Sequence, residues 1–324
     1  MNKNLKFALL MLMTLFAVNA TAAPMAYSVN SDSGNILTED SLYQIDLLTG
    51  DDQLKGELIS GIESRIDTEG LALAPDLTLW GIDDDSRTLF PINKSTGAIK
   101  FQDEIPLAAF QSGGGNDFGM TFSCDSTLFI TSVITQTLYQ MNLDGSSQVV
   151  GSEGALGQNI SAIAAIGNPT RLYGLGNGQF QDGTTDSPNL YSIDPTTGVA
   201  TLIGALGEEA SAYNQGGLAF DAEGYLWAIT DRRIINNTVA DLPSQILQLD
   251  TITGKASLVS LTSEIGFESL AIAPPAQCTD AGDGGDGDGD GYPTIPTLSP
   301  VGQLLAILML MLAGTAVLRR RISK

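Results

Sequence analysis

The central part of the chain alternates short apolar runs with clusters of Gly, Asp, Asn, Thr and Pro, and the runs recur in three kinds. The first reads LYQID from Leu42, LFPIN from Leu89, LYQMN from Leu138, LYSID from Leu190 and ILQLD from Ile246, with starts 47, 49, 52 and 56 residues apart. Runs this short, rich in aromatic and aliphatic residues and bounded by turn formers, predict β-strands. Most lead into an Asp or Asn followed by Thr-Gly, as in DLLTG, NKSTG, DPTTG and DTITG, and the third copy shortens this to NLDG. There the acid or amide caps the turn and the glycine supplies a positive φ. A further apolar strand follows, such as ATLIGAL or KASLVSL.

The second kind opens each unit and is built from small residues: GLALAPD from Gly70, GMTFSCD from Gly119, SAIAAIG from Ser161, GLAFDAE from Gly217 and SLAIAPP from Ser269. Small side chains suit strands that converge on a common axis. The third kind comes next: LWGID from Leu79, LFITS from Leu128, LYGLG from Leu172 and LWAIT from Leu226. Its fifth copy is missing after Pro275 and stands at the other end of the chain as AYSVN from Ala26, with Tyr27 in the place of Trp80, Phe129, Tyr173 and Trp227.

That displacement carries the fold argument. A ring of blades closes when an N-terminal strand completes the sheet begun by the C-terminal one, and closure removes the edges of an open array. A solenoid has no reason to divide one repeat between its termini, and a sandwich does not keep this period. The pattern predicts an all-β chain, a five-bladed β-propeller of four-stranded blades closed by the N-terminal strand, over residues 23–278 as one domain. It resembles NHL-like and quinoprotein-like propeller repeats from Ala26 to Pro275. The resemblance implies the fold and says almost nothing of function.

The two ends follow other rules. Lys3 and Lys6 precede an apolar run from Phe7 to Val18 and then Asn19-Ala20-Thr21-Ala22-Ala23-Pro24, the order of parts in a signal peptide, residues 1–22. Ala20 and Ala22 are the small residues before the cut. At the other end Val301–Leu318 is 18 residues without a charge, the expected transmembrane helix, and Arg319, Arg320 and Arg321 hold its end in the cytoplasm. Together with Ile295-Pro296-Thr297-Leu298-Ser299, this tail, residues 295–324, resembles the IPTL-type C-terminal sorting signal of Gram-negative bacteria. The resemblance implies an exosortase-type transpeptidase as partner, cleavage near the motif, an inner-membrane-anchored precursor, and delivery to the cell envelope, the cell surface or the outside. Val301 stands before Gly302, where the common pattern has Trp. Residues 279–294 are Asp/Gly-rich and read as a flexible linker. Within them Asp286, Asp288, Asp290 and Gly291 match the opening of a calcium loop, but Thr297 stands where that loop needs a bidentate Glu.

Composition then removes whole classes of chemistry. The 324 residues include no histidine, which excludes serine–histidine triads, HExxH metalloproteases and histidine-ligated haem. With 15 basic against 37 acidic residues the formal charge is -22, which repels nucleic acid and anionic membrane surfaces and leaves cations as partners. Taking away both ends removes six basic and no acidic residues, and leaves a body of about -28.

Aromatic residues at repeat-equivalent strand positions are assigned to the core, which leaves carboxylates as the candidate chemistry. Loops entering the innermost strands ring one mouth of a propeller channel, and there stand Glu69 before GLAL, Asp117 upstream of GMTF and Glu268 before SLAI. Convergent carboxylates hold Ca²⁺, or act as acid and base in glycoside hydrolysis; as isolated groups they only cap turns. Cys124 and Cys278 are the two thiols of an exported body and form a candidate disulfide. Arg232, Arg233, Asn236, Asn237 and Asp241 make the most polar insertion, a candidate interaction loop.

The reading that these features favour is a non-enzymatic surface or matrix protein, a binding or scaffold module. The alternative is an extracellular hydrolase or lyase acting on polysaccharide or a lactone, with Glu69, Asp117, Glu268 and a divalent ion. Convergence of the carboxylates separates the two. The sorting expectation has its own check, the intact mass of the mature protein. We expect a body that begins at Ala23 and ends near Thr297 or Ser299; a mass retaining Arg319 to Lys324 means a permanent anchor.

Overall fold

The structure, a computed structural model, describes residues 23–278 apart from 32–39, 61–62, 65–66, 108–116, 177–187, 214 and 237. Contacts divide the chain into two units, 1–282 and 283–324, and every described residue belongs to the first. The signal peptide with Ala20 and Ala22, the linker with Asp286, Asp288 and Asp290, the motif from Ile295 to Ser299, the expected helix and Arg319 to Arg321 all lie outside the described residues. Among the described residues the only helical turn is the 3-10 segment Phe101–Asp103, and no helix is long and apolar enough to cross a membrane.

The chain is all-β, with the radial sheets of a β-propeller. Four sheets have four antiparallel strands each, in simple meander order. They start with Thr68–Leu73, Phe118–Phe122, Ile160–Ile166 and Gly216–Phe220, and end with Ile105–Pro106, Ser147–Val149, Ala200–Ala205 and Ala256–Leu261. A further sheet holds Met25–Val29, Ser41–Asp46 and Asp52–Glu57. Its inner edge meets the C-terminal segment, where Tyr27 and Ala271 exchange backbone hydrogen bonds of 2.7 and 2.9 Å. A small sheet of Ala212–Tyr213, Arg233–Ile235 and Thr238–Ala240 occupies the polar insertion.

The repeated turns explain the repeated sequence. Asp46, Asp194 and Asp250 each accept two backbone N–H groups through Oδ1, from Leu48 and Thr49, Thr196 and Thr197, and Ile252 and Thr253. Gly50 and Gly254 then take φ of 79° and 77°, which a side chain disfavours. Both also lie against a neighbouring sheet. A Cβ would fall 2.0 Å from Leu261 O at Gly50 and 2.6 Å from Gly204 O at Gly254.

Between sheets, the alternate side chains form five buried clusters. One joins Tyr173, Tyr213 and Leu247, a second Phe118, Met120 and Ile82, a third Leu42, Phe90 and Leu71. The fourth holds Phe129, Leu138 and Tyr191, and the fifth Tyr43, Trp227 and Phe267. Of the aromatics assigned to the core by their repeat positions, Tyr27 and Trp80 are half-buried and the others buried. Each large side chain fully withdrawn from water contributes about 1.5–3 kcal/mol, so these interfaces carry the fold.

The fifth cluster spans chain-distant parts. Tyr43 and Phe267 meet edge to face at 5.3 Å, and Ser260 Oγ donates to Leu47 O at 2.9 Å. The Asp52 carboxylate accepts the N–H groups of Ser263 and Glu264 and the Ser263 hydroxyl, at 2.8, 2.9 and 2.6 Å. Beyond this contact the chain crosses the ends of other inner strands. Gly167 N donates to Ala276 O at 2.9 Å, Arg171 donates to Gln277 Oε1 at 3.2 Å, and Cys124 is joined to Cys278 in a disulfide with Cα atoms 5.2 Å apart.

A covalent closure over 154 residues restricts the unfolded chain, and its removal costs about 2–5 kcal/mol. In urea, the double variant Cys124→Ser/Cys278→Ser is expected to unfold at lower concentration than the oxidised parent. A reductant should lower the parent's midpoint and leave the variant's unchanged. Equal midpoints for parent and variant under oxidising conditions contradict this assignment of stability.

Candidate functional site

The inner strands run in one direction, so their first residues meet at one end of the channel and their last residues at the other. Glu69, Phe118, Ser161, Gly216 and Ser269 line one space, and Leu73, Phe122, Ala165, Phe220 and Ala271 line a second. The tail through Ala276 lies beside the second. Carboxylates gather at the first.

Three of them converge. One carboxylate oxygen each of Asp67, Glu69 and Glu268 lies within 4.8 Å of the other two. Glu268 is 1% exposed and Glu69 4%, while Asp67 is half-buried. Backbone geometry fixes each position. Glu268 N donates to Val29 O at 3.2 Å, so the segment carrying Glu268 is held by the N-terminal strand. Asp67 N donates to Asp83 Oδ2 at 3.0 Å, and Asp83 Oδ1 accepts Ser86 N at 2.7 Å. Asp83 thus ties the entry of the inner strand to the turn beyond the next one. Glu69 falls at a register shift between Thr68 and Gly70, where an extra residue leaves the ladder and its side chain is re-aimed.

The structure places the sequence-derived candidates as follows. Glu69 and Glu268 stand together. Asp117, 8% exposed, sits at the same mouth, close enough for its charge to act on Glu69, but is not one of the converging three. Its place is taken by Asp67, which the sequence reading passed over. Asp67 and Asp117 are structural equivalents: each carbonyl accepts the N–H that follows the neighbouring strand, from Asp84 and Val133 respectively. Gln215 is a third equivalent, accepting from Asp231 N, and its side chain hydrogen-bonds Glu69. The signal was there: DTEGLAL and DFGMTF share an Asp before the strand, with one residue inserted in the first. Arg232 lies beside Asp231, Nε 3.6 Å from Oδ1, on the insertion next to Gln215.

Burial pushes the Glu69 carboxyl well above its usual range, and the charges of Asp117, Asp67 and Asp84 push the same way; the Gln215 hydrogen bond opposes them. Packing negative charges in a desolvated place is unfavourable unless a proton or a cation answers them. The donor set is all carboxylate oxygen, which fits a hard cation. Separations up to 4.8 Å match two oxygens on opposite sides of Ca²⁺ at about 2.4 Å each. Glu69 Oε2 is buried and makes no hydrogen bond among the described residues, which leaves it for a water or an ion to answer.

No family model matches the sequence, and no curated protein does. Among solved structures, the chain is similar to virginiamycin B lyase from Staphylococcus aureus, at 17% identity over 74% of this chain and 70% of that one, TM-score 0.39. It is similar to the calcium-binding protein regucalcin from Agrobacterium tumefaciens, at 17% identity over 78% and 79%, TM-score 0.41. A gluconolactonase from Xanthomonas campestris matches at 12% identity over 79% and 84%, TM-score 0.42. At these values the likenesses assign no chemistry to this chain.

The expectation of a non-enzymatic scaffold is nevertheless corrected. The carboxylates that a scaffold leaves as dispersed turn caps converge here in a buried mouth.

The Glu69 shift has a pH signature. Because the folded state holds this proton more tightly than the unfolded state, the stabilising contribution is complete below about pH 4.5 and is lost as pH rises through the folded value. In chelator, the parent's Tm should therefore fall relative to that of Glu69→Gln as pH rises above 4.5. A constant difference between the two, from pH 4 to about pH 8, contradicts the shift.

Proposed function

We propose that this chain is an exported five-bladed β-propeller, closed by Met25–Val29 on the segment from Ser269 to Ala271, that binds a divalent cation at Asp67, Glu69 and Glu268 and uses it in hydrolase or lyase chemistry on a polysaccharide or lactone. The observation that carries the reading is the buried convergence of these three carboxylates. The ring closure is supported by the hydrogen bonds between Tyr27 and Ala271 and by the caps that Asp52 provides.

A bound cation supplies Lewis-acid polarisation of a carbonyl or ring oxygen. The protein's part is to position and to move protons. The three carboxylates come from two distant stretches of chain, and the hydrogen bonds from Glu268 N to Val29 O and from Asp67 N to Asp83 Oδ2 fix where two of them stand, so the site is preorganised. With no histidine in the chain, proton transfer falls to carboxylates. Asp117, at the mouth and outside the converging three, is the residue proposed to take or give the proton. Gln215 holds Glu69 in place through their hydrogen bond.

The proposal extends to the ends. The signal peptide directs export, and the tail from Ile295 onward is the substrate of an exosortase-type transpeptidase at the inner membrane, which delivers the propeller to the envelope or beyond. An acidic body suits an extracellular calcium protein, since its field concentrates cations.

The test is calorimetric titration of the mature, chelator-treated protein with CaCl₂, followed by hydrolysis assays on lactones and acidic and neutral polysaccharides with the cation present. We expect one site, with affinity lowered at least tenfold in Glu69→Gln and in Glu268→Gln, and activity abolished by chelator. Asp117→Asn should keep the affinity within about threefold and lose most of the turnover. Unchanged calcium affinity in both glutamate variants removes the site.

A further inference from the structure

Ser161 stands in its sheet where Glu69 stands in the sheet of Thr68–Leu73. Both inner strands break register at the same end, the one between Thr68 and Gly70 and the other between Ile160 and Ala162. A bulge leaves one residue out of the ladder and re-aims its side chain. The residues so singled out are Glu69 and Ser161. Both line one narrow space at the neck of the channel, whose other walls include Gly119, Gly217 and Ser269.

Both are also desolvated. Ser161 is 2% exposed and Glu69 4%, and neither Ser161 Oγ nor Glu69 Oε2 makes a hydrogen bond among the described residues. Ser269, by comparison, has its hydroxyl engaged with Val29 N at 3.2 Å. A buried hydroxyl with nothing to bond is costly, and the sheet of Gly216–Phe220 meets the same position with Gly216. The enclosed part of this neck, about 10 Å³, is close to the room that a single water molecule needs and takes no sugar ring.

We propose that Ser161 and Glu69 together hold a water molecule in the channel neck, the Ser161 hydroxyl donating to the water oxygen and the water donating to Glu69 Oε2. The water keeps a lone pair directed away from these partners. Resting on the cation reading above, a cation held at Asp67, Glu69 and Glu268 would polarise this water. A water held beside the cation selects hydrolysis over elimination, so the reaction class becomes a hydrolase and Ser161 a water-positioning residue.

High-resolution crystal structures of the mature protein and of Ser161→Ala, each grown with chelator, test this directly. We expect a water within about 3.2 Å of both Ser161 Oγ and Glu69 Oε2 in the parent, and none there in the variant. The variant's Tm should be equal or lower, because a satisfied hydroxyl is lost. With calcium present, its affinity for the ion should stay within twofold of the parent's. Its kcat for lactone hydrolysis should fall about tenfold at unchanged KM, the rate equivalent of one hydrogen bond. A dry neck in the parent, or a raised Tm in Ser161→Ala, overturns the inference. Failure of the parent to bind calcium sinks the cation reading alone, because the chelated crystals still decide whether the water is there.

Discussion

The inner strands approach one another more closely than side chains allow. A Cβ on Gly217 would fall 2.3 Å from Leu270 N, and one on Gly119 would fall 2.9 Å from both Ala162 Cα and Ile163 N. Close approach at the axis leaves no room there for the large residues, which are displaced outward into the five clusters between sheets. It also withdraws the polar groups at the channel mouth from water. Gly70, next to Glu69, shares this approach, since a Cβ there would fall 2.9 Å from Phe118 O, and Glu69 is buried beside it.

The site depends equally on where the two ends of the folded unit meet. Glu268 belongs to the C-terminal stretch and is positioned through Val29, whereas Asp67 and Glu69 belong to the sheet that follows the N-terminal one. Contacts of Tyr43 with Phe267 and of Asp52 with Ser263 and Glu264 hold that meeting together. Formation of the carboxylate group is thus coupled to the seam. A perturbation at the seam reaches the mouth without touching a carboxylate.

A desolvated carboxylate beside other carboxylates stores unfavourable electrostatic energy in the folded chain. Sites of this kind trade stability for affinity, since the ion that relieves the repulsion stabilises the fold as it binds. The trade is open to a protein whose core is made elsewhere, in the sheet interfaces, and whose channel needs little apolar burial of its own.

Much of the fold was legible in the sequence because its determinants are local. Strand runs, turns capped by Asp46, Asp194 and Asp250, and small residues on the inner strands each leave a pattern within about ten residues. Glu69 and Glu268 were legible for the same reason, as acids directly before inner strands. Asp67 was not, because a bulge at Glu69 inserts one residue with no mark in the composition and shifts the count by which Asp67 and Asp117 align. What the sequence determined alone was the repeat and the chemical types at the strand entries. Which carboxylates meet, and where Cys278 reaches across to Cys124, was decided only by tertiary structure. These contacts join residues far apart in the chain, and their geometry is set by the register and direction of strands in other sheets.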